Sequence, residues 1–107
     1  MNKEDLLKEH GKIIAVDFDG TLCEYVFPGI GSPKLHVIEL VKELSKNNDI
    51  VLWTCRRGYA LKQALKWCEH YGLKFTKVNK NVDWAYPTSR KIFAHYYLDD
   101  KAINVED

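Results

Sequence analysis

Little in this chain points to a special environment. Its three cysteines, Cys23, Cys55 and Cys68, are odd in number and form no C-x-x-C pair, which argues against a disulfide framework and a zinc cluster and leaves three reduced thiols. No apolar run approaches the roughly 20 residues that cross a bilayer, and the opening Met1-Asn2-Lys3-Glu4-Asp5 is too polar for a signal peptide, so a cytoplasmic protein without a membrane partner is expected. Lys and Arg number 16 against 15 Asp and Glu, and a net charge of +1 supplies no field to gather nucleic acid or an acidic membrane surface. Only three prolines and six glycines punctuate the chain, and no repeat, linker or low-complexity tract divides it. His10, His36, His70 and His95 lack ligand spacing and read as structural or surface residues. What remains is an ordinary globular composition: 107 residues, 46% apolar and 29% charged, enough for one domain over 1–107 with one modest core.

The apolar pattern alternates between strands and helices. A short helix over Asn2 to His10, stopped by Gly11, precedes a strand from Lys12 to Asp17 whose run Ile13-Ile14-Ala15-Val16 suits a buried parallel position. After an irregular stretch through Gly31, Ser32 as N-cap and Pro33 at the first helical position predict a helix with Val37, Leu40, Val41 and Leu44 on one stripe. Asp49 to Thr54 follows as a second strand. Leu61, Ala64, Leu65 and Cys68 mark the core face of a helix closed by Gly72. Phe75 to Val78 and Phe93 to Leu98 complete the strands, with a long loop from Asn79 to Lys91 between them. Alternation with right-handed crossovers implies an α/β fold, a parallel sheet with helices on both faces.

Chemistry gathers where the apolar runs stop. Asp17 and Asp19 are spaced i, i+2 at the end of the first strand, so their side chains point the same way and repel unless a cation intervenes. A strand closed by an Asp-Gly turn would need no cation. Yet Thr54 ends the second strand and Asp99-Asp100 end the fourth, and an open α/β sheet binds ligands beyond the carboxyl ends of its strands. Carboxylates crowded at that edge are hard oxygen ligands suited to Mg²⁺.

Asp17-Phe18-Asp19-Gly20-Thr21, Thr54 after Ile50-Val51-Leu52-Trp53, Lys91, and Asp99-Asp100 together resemble, in order, the four motifs of the haloacid dehalogenase superfamily, over about Lys12 to Lys101. The segments Leu52-Trp53-Thr54-Cys55-Arg56 and Ser89-Arg90-Lys91 further resemble small bacterial and phage members. The resemblance implies a three-layer Rossmann-like sheet in the order 3-2-1-4 and a Mg²⁺-dependent phosphomonoester hydrolase. In that scheme Asp17 attacks phosphorus to form an aspartyl-phosphate, and Asp19 serves as acid and then base. Thr54 donates to a phosphoryl oxygen, and Lys91 stabilises the transferring group. The metal is held by Asp17, the Asp19 backbone carbonyl and Asp99, with Asp100 a ligand through water or an orienting group. Gly20, Thr21, Cys55, Arg56 and Arg57 surround this set as candidate substrate-binding positions, the two arginines as forks for a second anionic group. Family caps enter after the first motif or before the third. Neither Leu22 to Ser32 nor Asn79 to Arg90 can hold one, so a minimal capless core is expected.

The partner is then a phosphorylated substrate of unspecified class. Trp84 and Tyr86, in a lysine-rich stretch, could stack on a base or sugar, though no other nucleic-acid signature accompanies them. Tyr25 and Phe27 in the loop after the first motif could touch substrate or pack that loop onto the core. Trp84, Tyr86, Tyr96 and Tyr97 offer an apolar patch for a second copy, against the alternative that Tyr96 or Tyr97 lines the sheet interior. Two other functions use the same acids without turnover: a receiver-like phospho-acceptor, and an inactive member acting as an interaction subunit. Residue order favours the enzyme, since a receiver carries its phosphorylated Asp on a later strand.

Overall fold

The computed structural model describes residues 2–84 and 93–99. Seven elements follow in chain order: α1 (Lys3–Leu7), β1 (Ile13–Val16), α2 (Leu35–Leu44), β2 (Asp49–Leu52), α3 (Gly58–His70), β3 (Lys77–Val78) and β4 (Tyr96–Leu98). The strands form one all-parallel sheet in the order β3-β2-β1-β4, an α/β Rossmann-like arrangement. In its central register Ile14 lies opposite Ile50 on one side and Tyr96 on the other. Both faces of a central parallel strand are buried, which is why β1 and β2 read as unbroken apolar runs.

The two faces are covered differently. Ile14, Val16, Ile50, Leu52 and Leu98 point into the main core with Leu6 of α1, the α2 stripe Val37, Leu40, Val41 and Leu44, and Ala64 and Cys68 of α3. Ile13 and Val51 point the other way and meet Val82, with Trp53, Phe93 and Ala94 beside them. Among the described residues, then, all three helices lie on one face, where alternation alone suggests both. The reason is the strand order. The steps from β1 to β2 and from β2 to β3 run in one direction across the sheet, so right-handed crossovers lay α2 and α3 on the same side. The return from β3 to β4 crosses to the opposite edge, and its Val82, Phe93 and Ala94 meet the second face.

Local chemistry sets the element ends. Asn2 caps α1, its side chain accepting from the Asp5 amide at 2.9 Å. The Asn48 side chain donates to the Glu9 and Leu44 carbonyls and accepts from the Lys12 amide, tying α1, α2 and β1 at one corner. Gly72, at φ 79°, closes α3 as expected. Ser32 and Pro33 do not open α2, whose N-cap is Lys34. Instead Cys23 bridges Pro33, the Glu24 amide donates to Ser32 O at 2.8 Å, and the Lys34 amide donates to Leu22 O at 2.9 Å. This antiparallel clasp closes the base of a flap over residues 24–32 and delays the helix by two residues. His95 is structural, its Nδ1 accepting from the Ile13 amide at 2.9 Å. Cys23 and Cys68 are buried thiols and Cys55 is exposed. Among the described residues no helix is long and apolar enough to cross a membrane.

Candidate active site

Three strands deliver polar groups to one edge of the sheet. Past β1, the Asp17 amide still donates to Leu98 O at 3.0 Å, so the first acid leaves the strand in register with the end of β4 and hence beside Asp99. Past β2, the Trp53 amide donates to Val16 O at 2.9 Å and carries the chain to Thr54. Asn79 ends β3 in the left-handed region at φ 54°, which Asn tolerates better than most residues. Its amide donates to Leu52 O at 2.8 Å, and its side-chain oxygen accepts from the Thr54 amide at 2.8 Å, fixing the Thr54 loop against β3. The Thr54 hydroxyl accepts from the Arg56 amide at 3.1 Å, which leaves its own proton to donate elsewhere.

The charge in this edge is paired in a way the sequence does not announce. Arg56 is buried to 1% exposure, and its guanidinium forks onto Asp19, with Nη2 at 2.7 Å from Oδ1 and Nε at 2.8 Å from Oδ2. The same group donates to Gly29 O at 2.6 Å, Pro28 O at 3.1 Å and Ala60 O at 3.4 Å, and lies 5.0 Å from the ring centroids of Phe18 and Phe27. One side chain thus joins the second acid, the flap and the start of α3. The hydrogen bond and charge of Asp19 hold Arg56 even more firmly protonated than a free guanidinium. Both Asp19 oxygens act as acceptors here, and each keeps a further lone pair outside the fork.

Two clefts meet at Asp17, Thr54 and Cys55. The larger, of about 480 Å³, extends past Trp53, Arg57, Asn79 and Tyr97 to Asp99. The smaller, of about 220 Å³, adds Asp19, Arg56, Tyr25 and Phe27. Asp99 therefore borders one lobe and Asp19 the other. Among the described residues no three His, Cys, Asp or Glu side chains come together as a metal cage. The donor set still suits Mg²⁺, which takes one or two carboxylates and keeps waters and substrate phosphate for its remaining positions, and Asp17 and Asp99 border the same lobe. The Asp19 side chain is engaged by Arg56, so a metal role for Asp19 falls to its backbone carbonyl.

Of the residues singled out in the sequence, Asp17, Asp19, Thr54, Cys55, Arg57 and Asp99 meet at the two lobes, while Lys91 and Asp100 lie outside the described residues. Two of the substrate-binding candidates are buried. Arg56 forms part of the wall of the smaller lobe, but its guanidinium is committed to Asp19 and the flap carbonyls, while Arg57 lines the larger lobe. Thr21 is 4% exposed and lines neither lobe. Gly20, at φ 85°, makes the sharp turn after the acids, and its carbonyl accepts from Lys34 Nζ at 2.7 Å. Trp84 points away from the site, its indole donating to Asp49 at the opening of β2 at 2.9 Å; Tyr86 lies outside the described residues. Tyr97 is 45% exposed, whereas Tyr96 packs against the main core and donates to Glu9 at 2.7 Å, a bond that raises its phenol above the ordinary range. Asn79 and Lys34 escaped the sequence reading, and for Asn79 a signal existed: an Asn directly after a strand is a usual left-handed stop.

Fold and site define an α/β protein with an acid-bearing cleft at the carboxyl edge of a four-stranded parallel sheet. The chain belongs to the same family as a conserved protein from Bacteroides thetaiotaomicron of solved structure, to which it is 35% identical over 86% of this chain and 78% of that one, with a TM-score of 0.76. No protein-family model matches the chain, and no curated protein does.

Proposed function

We propose that this chain is a phosphomonoester hydrolase of the haloacid dehalogenase type, working with Mg²⁺ through an aspartyl-phosphate on Asp17. One observation carries the reading: Asp17, Thr54 and Asp99, from the ends of three different strands, border a single cleft. A phosphate ester is guarded by its own negative charge, and bound Mg²⁺, held by Asp17, Asp99 and the Asp19 carbonyl, supplies the neutralisation. Thr54 turns its spare proton toward a phosphoryl oxygen. An Asp17 carboxylate oxygen attacks phosphorus, the P–O bond to the leaving alcohol breaks, and Asp19 delivers a proton to the departing oxygen. In the second half Asp19 takes a proton from water as that water attacks phosphorus, which releases inorganic phosphate and regenerates Asp17. Arg56 is the positioning residue for both halves. Its fork fixes the direction in which Asp19 presents its remaining lone pairs, for the proton given in the first half and the proton taken in the second.

Acid-quenched intact mass spectrometry separates turnover from simple phospho-acceptance. Wild type should hydrolyse phosphomonoesters with little covalent phosphate at steady state. Asp17→Asn should lose both, and Asp19→Asn should take up phosphate from a well-activated ester and release it slowly. Turnover by Asp17→Asn overturns the assignment. A long-lived phosphate on wild type that Asp19→Asn leaves unchanged marks a phospho-acceptor instead.

A further inference from the structure

We propose that Tyr25 and Phe27 form the platform for the leaving group, and that the substrate is a phosphomonoester of an alcohol carrying a planar aromatic ring. The inference rests on the phosphatase reading and names the substrate class of that site. Asp19 borders the smaller lobe with Tyr25 and Phe27, while Asp99 borders the larger one. The acid must reach the leaving oxygen, and attacking and leaving oxygens lie roughly in line across phosphorus. The alcohol therefore departs into the lobe that Asp19 shares with the two rings.

The flap is held down without the exposed surfaces of the rings. Ile30 holds it, packing against the main core, and the clasp between residues 22–24 and 32–34 closes the flap's base. Tyr25 is 70% and Phe27 50% exposed, large aromatic surfaces left to solvent beside reacting carboxylates. Phe27 is nevertheless fixed: the Arg56 guanidinium sits 5.0 Å from its ring centroid and bonds the carbonyls of the next two residues. A ring held in place and still exposed is preorganised for stacking. The lobe, of about 220 Å³, has room for one compact ring system beside the carboxylates.

Binding to Asp17→Asn tests this without turnover. In the presence of Mg²⁺, calorimetry should find 2-naphthyl phosphate bound about tenfold more tightly than cyclohexyl phosphate, the scale expected when one ring stacks on an aromatic platform. Adding Tyr25→Leu and Phe27→Leu, which keep the lobe apolar but remove the rings, should bring the two esters within about twofold. A purine nucleoside monophosphate in the same titration tells the source: tighter than the naphthyl ester it points to a base, weaker to an aryl alcohol, and either supports the platform. Both side chains are exposed, so the fold should survive, and circular dichroism checks it; if the pair unfolds the chain, Tyr25→Leu alone carries the test with a partial loss of preference. Equal affinities in Asp17→Asn, or a preference that survives loss of the rings, overturn the inference. An intact ring preference in a wild type that neither hydrolyses esters nor takes up phosphate overturns the catalytic reading instead.

Discussion

Replacing Arg56 with Met should be the most destabilising single change at this site. The guanidinium is 1% exposed and makes five hydrogen bonds, two to Asp19 and one each to Pro28, Gly29 and Ala60. Methionine fills much of the space but leaves the Asp19 carboxylate, whose side chain is 13% exposed, without its cation. Breaking one partner of a buried pair costs about 3–5 kcal/mol, and the lower end applies here because exposed Pro28 and Gly29 can turn their carbonyls to water. For a domain of this size about 3 kcal/mol lowers the melting temperature by roughly 12–24 °C. Arg56→Lys should recover little of it, since an ammonium cannot fork onto both oxygens. A double-mutant cycle isolates the pair: in an Asp19→Asn background Arg56→Met should cost about 2 kcal/mol less than in wild type. Urea and thermal melts followed by circular dichroism supply all four corners. A loss below about 1 kcal/mol for Arg56→Met, or the same loss with and without Asp19, would refute the view that this pair is a structural joint.

The fold was legible because its signals are local and repeated. Ile13-Ile14-Ala15-Val16 and the α2 stripe bury as their periods predict, and the order β3-β2-β1-β4 is the one that the family resemblance implies. Element ends were less legible. Ser32-Pro33 carries the pattern of a helix start, but pairing with Cys23 and Glu24 outweighs that propensity, a tertiary contact no window of sequence contains. The site divides the same way. Strand ends gave Asp17, Thr54 and Asp99, since chain topology alone carries them to one edge. The two adjacent arginines look alike in sequence. Residues i and i+1 leave a loop in different directions, so Arg56 turns under the flap to Asp19 at the wall of the smaller lobe while Arg57 turns to the larger. Nothing short of the packed flap distinguishes them.

Asp99→Ala should weaken Mg²⁺ binding more than Asp19→Asn does, because the Asp19 side chain faces Arg56; calorimetric titration reporting equal losses would count against these roles. Burial raises the Cys68 thiol to about 12 from 9.0, so the unfolded chain loses that proton first: the contribution is whole below pH 9 and falls as pH rises toward 12, by about 1.4 kcal/mol per pH unit. Urea melts at pH 8 and 10 should show a shallower decline in Cys68→Ala, and identical declines would sink the assignment. The last prediction concerns the flap glycines, which in sequence look alike as sources of mobility. A Cβ at Gly29 meets the Val26 carbonyl at 3.5 Å and Val26 Cγ2 at 3.9 Å, both ordinary contacts, so Gly29→Ala should change the melting temperature by a few degrees at most. A Cβ at Gly31 would overlap the Glu24 carbonyl and approach Glu24 Cβ to 2.8 Å. Glu24 is also the residue whose amide closes the clasp on Ser32, so the methyl cannot be accommodated by a side chain turning aside; backbone must move, at about 1–3 kcal/mol. Gly31→Ala should therefore lower the melting temperature by roughly 4–24 °C. It should also blunt the ring preference, because the shifted flap carries Tyr25 and Phe27 and takes the Pro28 and Gly29 carbonyls away from Arg56. Equal melting temperatures for the two alanine variants would show that the clasp is slack and that Gly31 is not there to let two backbone segments touch.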